Sequence, residues 1–284
     1  MSDKKITIVT DSSSTIPEEA LKGLDVKVIP LWLNWDGVGF LDGIDIDPKA
    51  FYQRLRRSKT LPSSSQPSVQ EFIDFFQRIA NKCDTIVNVL VSSKISGTID
   101  NARKAMENLP NLDIHLIDTL AGSMGAGHIV LAAARAAKEK ASVDAVIKAA
   151  EHIKERINLL FLVDTLEYLH KGGRIGGAKR YLGTALRIKP LLEFKDGLIQ
   201  PLEQVRTRKK AISRMLDVAA ERLAGKHMEE ATVVDIDCPD EGDAFAEIVK
   251  KRFSPRQLFR SGVSPVVGTH VGPGALGLAF YAED

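Results

Sequence analysis

The sequence predicts an α/β protein of two domains. The first, residues 1–158, carries a parallel, doubly wound sheet; the second, 159–284, carries a mixed or antiparallel sheet with helices. Three observations carry this expectation. Short apolar runs alternate with helical stretches through the first half, the pattern of strand–helix–strand units. Several of these runs break at small hydroxylated residues, at the strand ends where doubly wound sheets bind ligands. From Ile188 onward the logic changes: Ile188 to Glu193 and Leu198 to Val205 flank Lys195-Asp196-Gly197, a hairpin signal.

Ile6 to Val9 reads as a buried strand with a continuous apolar core. It runs into Thr10-Asp11-Ser12-Ser13-Ser14, where helix capping is the plain reading and pocket lining the functional one. Thr15 and Glu18 have capping-box spacing for a helix to Leu24. Val26 to Trp35 reads as one strand with an irregularity at Pro30, and Asp36-Gly37 as a turn. Asp42, Asp45 and Asp47 lack the glycine and terminal glutamate of a calcium loop. Asp47 instead caps a helix over 48–57 with Pro48 at its first position. Leu61 to Ser68 reads as a polar loop, and Ser68 with Glu71 caps a helix from Val69 to Asn81.

Thr85 to Val91 is the next strand, and Ile99 to Leu109 the helix after it. Between them, Ser92-Ser93-Lys94-Ile95-Ser96-Gly97-Thr98 sets hydroxyls and free backbone N–H groups at a helix N-terminus, a place that favours an anion. Ile114 to Ile117 is a strand. Gly122 to Gly127 lets a helix from Ile129 to Lys140 pack close to the sheet; its glycines have neither dinucleotide nor P-loop order. Val143 to Ile157 is a helix and Leu159 to Val163 a strand. A short helix from Asp164 closes at Gly172-Gly173, one of which suits a left-handed C-cap, and Arg174 follows. The basic run Arg206 to Lys210 opens a helix to Leu223, either as a solvated face or facing a phosphate. Ala231 to Ile236 and Val263 to Val267 read as strands around a helix from Gly242 to Phe253. A glycine-rich loop, Gly268 to Gly277, holds His270 before the last strand, Leu278 to Ala282.

Composition narrows the class. A net charge of +2 gives no electrostatic case for nucleic acid. Two distant cysteines, Cys83 and Cys238, fit a reducing compartment better than a disulfide scaffold. Met1 to Lys5 runs straight into a strand with no leader pattern, and no apolar stretch is long enough to span a bilayer, so a cytoplasmic protein without stable membrane insertion is expected. No histidine cluster of zinc spacing is present, and no metal or cofactor is expected. Ser96 with His270 as base is the nucleophilic alternative, without the G-x-S-x-G elbow. Hydroxyls, helix N-termini, one arginine and one histidine suit holding a carboxylate or phosphate better than breaking a bond.

Six stretches together carry a family resemblance: Thr10-Asp11-Ser12-Ser13, Ser64-Ser65-Gln66-Pro67-Ser68, Ser92 to Thr98, Lys171-Gly172-Gly173-Arg174-Ile175, Ile188-Lys189-Pro190 and Gly268 to Gly274. Over essentially its whole length the chain resembles the DegV family of bacterial fatty-acid-binding proteins. The resemblance implies a long-chain fatty acid such as palmitate held between two α/β domains. It implies that Ser64, Ser65 and Ser96 hold the carboxylate, with Arg174 and His270 near the head group. It implies that Arg206 serves phosphoryl transfer, that a separate fatty-acid kinase supplies ATP and magnesium, and that this chain is a carrier rather than an enzyme. Two departures stand out: Ser64 replaces the usual threonine, and Lys94-Ile95 replaces a more usual Gly-Leu. Burial of a sixteen-carbon tail gives on the order of 10 kcal/mol before ordering costs. Two alternatives stay open: a serine hydrolase of acyl esters, and a lipid sensor or transfer module without a kinase.

Overall fold

The computed structural model describes residues 5–182 and 188–283; Met1 to Lys4 of the expected lead-in lie outside them. β1 (Ile6–Asp11) is buried at all six positions, as a strand covered on both faces requires. A 3-10 turn at Ser12–Ser14 and a short α1 (Glu18–Leu21) lead to β2 (Val26–Ile29). The expected capping box of Thr15 and Glu18 does not form. Asp11 caps the serine turn instead, Thr15 takes a left-handed φ of 49°, and α1 stops at Leu21. The strand expected over 26–35 is two strands, because Pro30 offers no N–H to continue a ladder. β2 pairs with β1, whereas β3 (Trp32–Trp35) turns through Asp36-Gly37 into β4 (Val38–Leu41) in another sheet.

Asp47 caps α2 (Pro48–Leu55), accepting from the Ala50 N–H at 2.9 Å. The expected polar loop contains β5 (Ser63–Ser65), which pairs with β3 and completes a small antiparallel sheet, β4-β3-β5. α3 (Val69–Ala80) carries the full Ser68–Glu71 capping box. β6 (Thr85–Leu90), α4 (Thr98–Glu107) and β7 (Asp113–Asp118) follow, and the parallel sheet runs β2-β1-β6-β7. α5 (Ser123–Lys138) starts well before the expected Ile129, so the small residues lie inside the helix. A Cβ on Gly127 would stand 2.9 Å from the Ser14 carbonyl oxygen, which is the close packing that the small residues permit. α6 (Val143–Lys154) covers the same sheet.

The second half builds a six-stranded sheet. Its elements are β8 (Asn158–Leu162), α7 (Glu167–Lys171), a 3-10 turn at Gly176–Tyr181, β9 (Lys189–Lys195), β10 (Leu198–Val205), α8 (Arg208–Leu223), β11 (Met228–Asp235), α9 (Pro239–Phe253), β12 (Gln257–Gly262), α10 (Pro265–Val271) and β13 (Leu276–Ala282). The order is β10-β9-β8-β13-β11-β12, antiparallel except for the β11–β12 pair. Two expectations fail here. Val263 to Val267 is not a strand: Ser264 caps α10 with Pro265 at its first turn, and the strand precedes it as β12. His270 therefore stands on a helix, not in a loop. Among the described residues no helix is long and apolar enough to cross a membrane.

α5 joins the two sheets through a buried polar group. His128 Nε2 lies 2.9 Å from the Thr232 hydroxyl of β11, and its Nδ1 lies 3.3 Å from Glu230 Oε2. Arg135 closes an ion pair on the same carboxylate. Burial opposes the charge of Glu230, but His128 and Arg135 outweigh it and hold the carboxyl below its usual range. The stabilisation from this carboxylate is therefore present above about pH 4.5 and is lost as pH falls through the lowered folded value. We expect Arg135→Met to lower the unfolding free energy by about 2 kcal/mol at pH 7, at the low end for a buried pair because the guanidinium is partly hydrated. In chemical denaturation from pH 7 to pH 3, the gap between variant and wild type should shrink below pH 4.5.

Candidate functional site

A cavity of about 890 Å³, mouth included, lies over the α5-facing side of the six-stranded sheet. The sheet supplies an apolar floor that includes Leu159, Phe161 and Val234, and α10 supplies Val266, Val267 and Val271. Ser64, Ser96, Arg174 and His270 all line it. Ser13 and Ser123 line it too. Ser13 belongs to the serine run for which pocket lining is the functional reading, and that run both caps and lines; Ser123 is hidden in a glycine-rich stretch and carries no sequence signal.

The polar residues are positioned by backbone ties. The Val91 N–H donates to Asp11 Oδ2 at 2.8 Å, fixing the chain as it leaves β6. The Ser92 hydroxyl donates to the Gly197 carbonyl at 2.8 Å and so pins the junction to the β9–β10 hairpin. Ser96 Oγ accepts from the Thr98 N–H at 3.3 Å and lies 2.7 Å from the Thr98 hydroxyl, at the start of α4. Asp42 ties the start of α10 to the serine turn. It accepts from the Val266 N–H at 3.2 Å and from the Ser12 hydroxyl at 2.6 Å. Burial pushes the carboxyls of both Asp11 and Asp42 above their usual range.

Arg174 is half-buried. Its Nε donates to the Ile95 carbonyl at 3.1 Å and its Nη1 to the Gly172 carbonyl at 2.6 Å. Burial lowers its pKa, yet a guanidinium stays charged at neutral pH. Among the described residues it has no carboxylate partner. His270, in the last turn of α10, places Nε2 at 2.6 Å from the Ser64 hydroxyl. Its Nδ1 is buried with no hydrogen-bond partner. Burial, with the Arg174 charge beside it, pushes the His270 pKa down to about 4, so the ring is neutral at pH 7. A Cβ on Gly172 would stand 2.3 Å from His270 Nδ1, so glycine is what admits the ring. Gly173, with φ of 72°, is the expected left-handed residue that ends the turn before Arg174.

Other expected site residues fall elsewhere. Ser65 does not line the cavity; one step along β5 from Ser64, it faces the other way and its hydroxyl accepts from Asn34 Nδ2 at 3.2 Å. Arg206 is exposed outside the cavity, between β10 and α8. Lys94 is exposed at the junction and also lies outside the lining. His270 is bonded to Ser64 and Ser96 to Thr98, so the Ser96–His270 pair of a hydrolase is not formed, and no carboxylate orients Nδ1. Metal-type ligands converge only away from the cavity among the described residues, at His227, Glu229 and Glu283, where Arg256 engages Glu229.

A family model described as "Uncharacterised protein, DegV family" matches residues 5–283. The chain is similar to a DegV domain-containing protein of Listeria innocua, 34% identical over 279 residues that cover 98% of this chain and 99% of that one. Among solved structures it is similar to a DegV family protein of Thermus thermophilus described by its fatty acid binding. The TM-score is 0.92 at 31% identity, covering 98% of this chain and 100% of that one. It is also similar to DegV of Bacillus subtilis, described as a fatty acid binding protein. Here the TM-score is 0.89 at 31% identity, covering 99% and 100% of the two chains.

The depressed His270 pKa has a sign. Between pH 6.5 and about 4 the unfolded chain holds a proton on this residue that the folded one does not, so its burial lowers stability as pH falls through that window. In an NMR titration of the histidine rings we expect His270 to protonate near pH 4. Arg174→Met should move that midpoint upward without bringing it to 6.5, because burial is the larger cause.

Proposed function

The chain belongs to the DegV family, and from that premise we propose that it binds a long-chain fatty acid such as palmitate and presents the carboxylate to a separate fatty-acid kinase. The observation that carries this reading is Arg174: a half-buried cation at the polar end of an apolar cavity, without a counterion among the described residues. A fatty acid satisfies both ends of such a cavity. Its tail gains about 0.8 kcal/mol per buried methylene, and its carboxylate needs charge and donors when it leaves water. Arg174 supplies the charge, and the hydroxyls of Ser64 and Ser96 supply donors. A neutral His270 holds Ser64 without adding a second cation. Ser64 rather than Ser65 takes this role, because only Ser64 faces the cavity.

The two layers are taken as domains that divide near residue 158, with the fatty acid lying between them. The kinase brings ATP and magnesium, and this chain acts as the carrier. Arg206 is assigned to meet the incoming phosphate or the kinase itself; its exposure at the start of the basic run supports this role. Its neighbour Arg208 is already engaged by Glu241 and Asp164.

Native mass spectrometry of the purified protein tests the binding claim. We expect a bound or exchangeable long-chain fatty acid, and a protein that carries and takes up none would refute it. Ser96→Ala should weaken palmitate binding by about tenfold, the value of one hydrogen bond to a charged group. Arg206→Ala should bind palmitate as wild type does but lose most of its phosphorylation by a fatty-acid kinase. Lost binding in that variant would mean its role is misassigned. A loaded protein that such kinases leave unphosphorylated would favour a lipid sensor or transfer role.

A further inference from the structure

We propose that Gly277 sets the length of acyl chain that the cavity accepts, by keeping the floor open where the tail crosses β13; this rests on the fatty-acid reading above. The direction of the tail follows from the sheet order. Arg174 leads into Gly176 and Gly177, which press against Ile199 and Gln200 of β10; a Cβ on Gly176 would stand 2.2 Å from the Ile199 carbonyl oxygen. The head-group end therefore lies over β10. α10 roofs the cavity from Val266, held near the serine turn by Asp42, to His270, held against Gly172. A tail leaving Arg174 crosses β9 and β8 before it reaches β13. Three strand spacings put that crossing about 14 Å from β10.

At that crossing the floor has a gap. In the ladder Gly277 pairs with Phe161 of β8 on one side and with Val234 of β11 on the other, and all three residues line the cavity. A glycine thus sits between two large side chains. The backbone does not require it, since Gly277 is absent from the left-handed residues. Packing within the sheet asks only for a small adjustment. A Cβ there would meet the Leu160 oxygen and Phe161 Cβ at 3.3 Å, tight contacts that need a few tenths of an ångström of relaxation, and Val234 Cβ at 3.8 Å, an ordinary one. Glycine inside a strand weakens it and often marks a close approach of another group. What lies above Gly277 is the cavity. A side chain on this residue would rise into the tail's path and leave the head-group residues untouched.

The test is the dissociation constant of the full-length protein for decanoate and for palmitate, in wild type, Gly277→Ala and Gly277→Val, with a thermal melt of each. We expect Gly277→Val to weaken palmitate by at least about tenfold and decanoate by no more than about threefold. Gly277→Ala should show the same selectivity at smaller size, with a melting temperature close to wild type, because the sheet needs to relax by only a few tenths of an ångström. It carries the test if the valine variant does not fold. Equal loss for both acids, or no loss for palmitate, would overturn the proposal. Wild-type protein that binds neither acid would instead overturn the fatty-acid reading on which it rests.

Discussion

A guanidinium held half out of water must find acceptors, and among the described residues Arg174 finds two main-chain carbonyls and no carboxylate. Everything around it serves to keep it there. Gly173 turns the chain so that Arg174 points back over Ile95. Gly172 yields its side-chain volume to His270, and His270 in turn fixes Ser64. The site is thus a chain of short-range ties among four segments far apart in sequence. Its net product is an uncompensated positive charge facing an apolar cavity. Such a charge costs stability unless an anion offsets it, which is the role proposed above for the ligand carboxylate.

The architecture explains how one cavity draws on both halves. The parallel sheet delivers β1 and β6, whose ends carry Ser13 and the Ser92 to Thr98 junction. The small sheet β4-β3-β5 delivers Ser64. The mixed sheet provides the floor, and α10 closes the top. Two buried carboxylates, Asp11 and Asp42, are the cross-links: one accepts from the end of β6, the other from the start of α10. Neither touches the cavity directly, yet each holds a wall of it.

The parallel half was legible because its strands are continuous apolar runs, which is what two-sided burial requires of a sequence. The failures have physical causes as well. β5 is three serines, and only its pairing with β3, some thirty residues away, makes it a strand. Val263 to Val267 has strand composition, but Ser264-Pro265 is a helix start, and the local cap wins over β-propensity. That error also moved His270 from a helix to a loop. The hydroxyls, Arg174 and His270 were readable as anion chemistry, and the family resemblance linked them. That Ser64 lines the cavity and Ser65 does not depends on the register of β5, which composition does not reveal. The sequence offers Asp42 only as a poor calcium ligand; its role as a tie is hidden because its partner, the Val266 N–H, lies over two hundred residues away.

In the proposed function Arg174 binds the carboxylate of the fatty acid. The most direct measurement is the ¹³C NMR spectrum of palmitate labelled at its carboxyl carbon and bound to the protein, followed through pH. The account predicts one bound resonance that stays ionised well below pH 4.5, the unperturbed carboxyl range, because the guanidinium favours the charged form. It also predicts that Arg174→Met removes this depression while the Ser64–His270 pair remains. A bound carboxyl that titrates as it does in water, or equally in the variant, would contradict it.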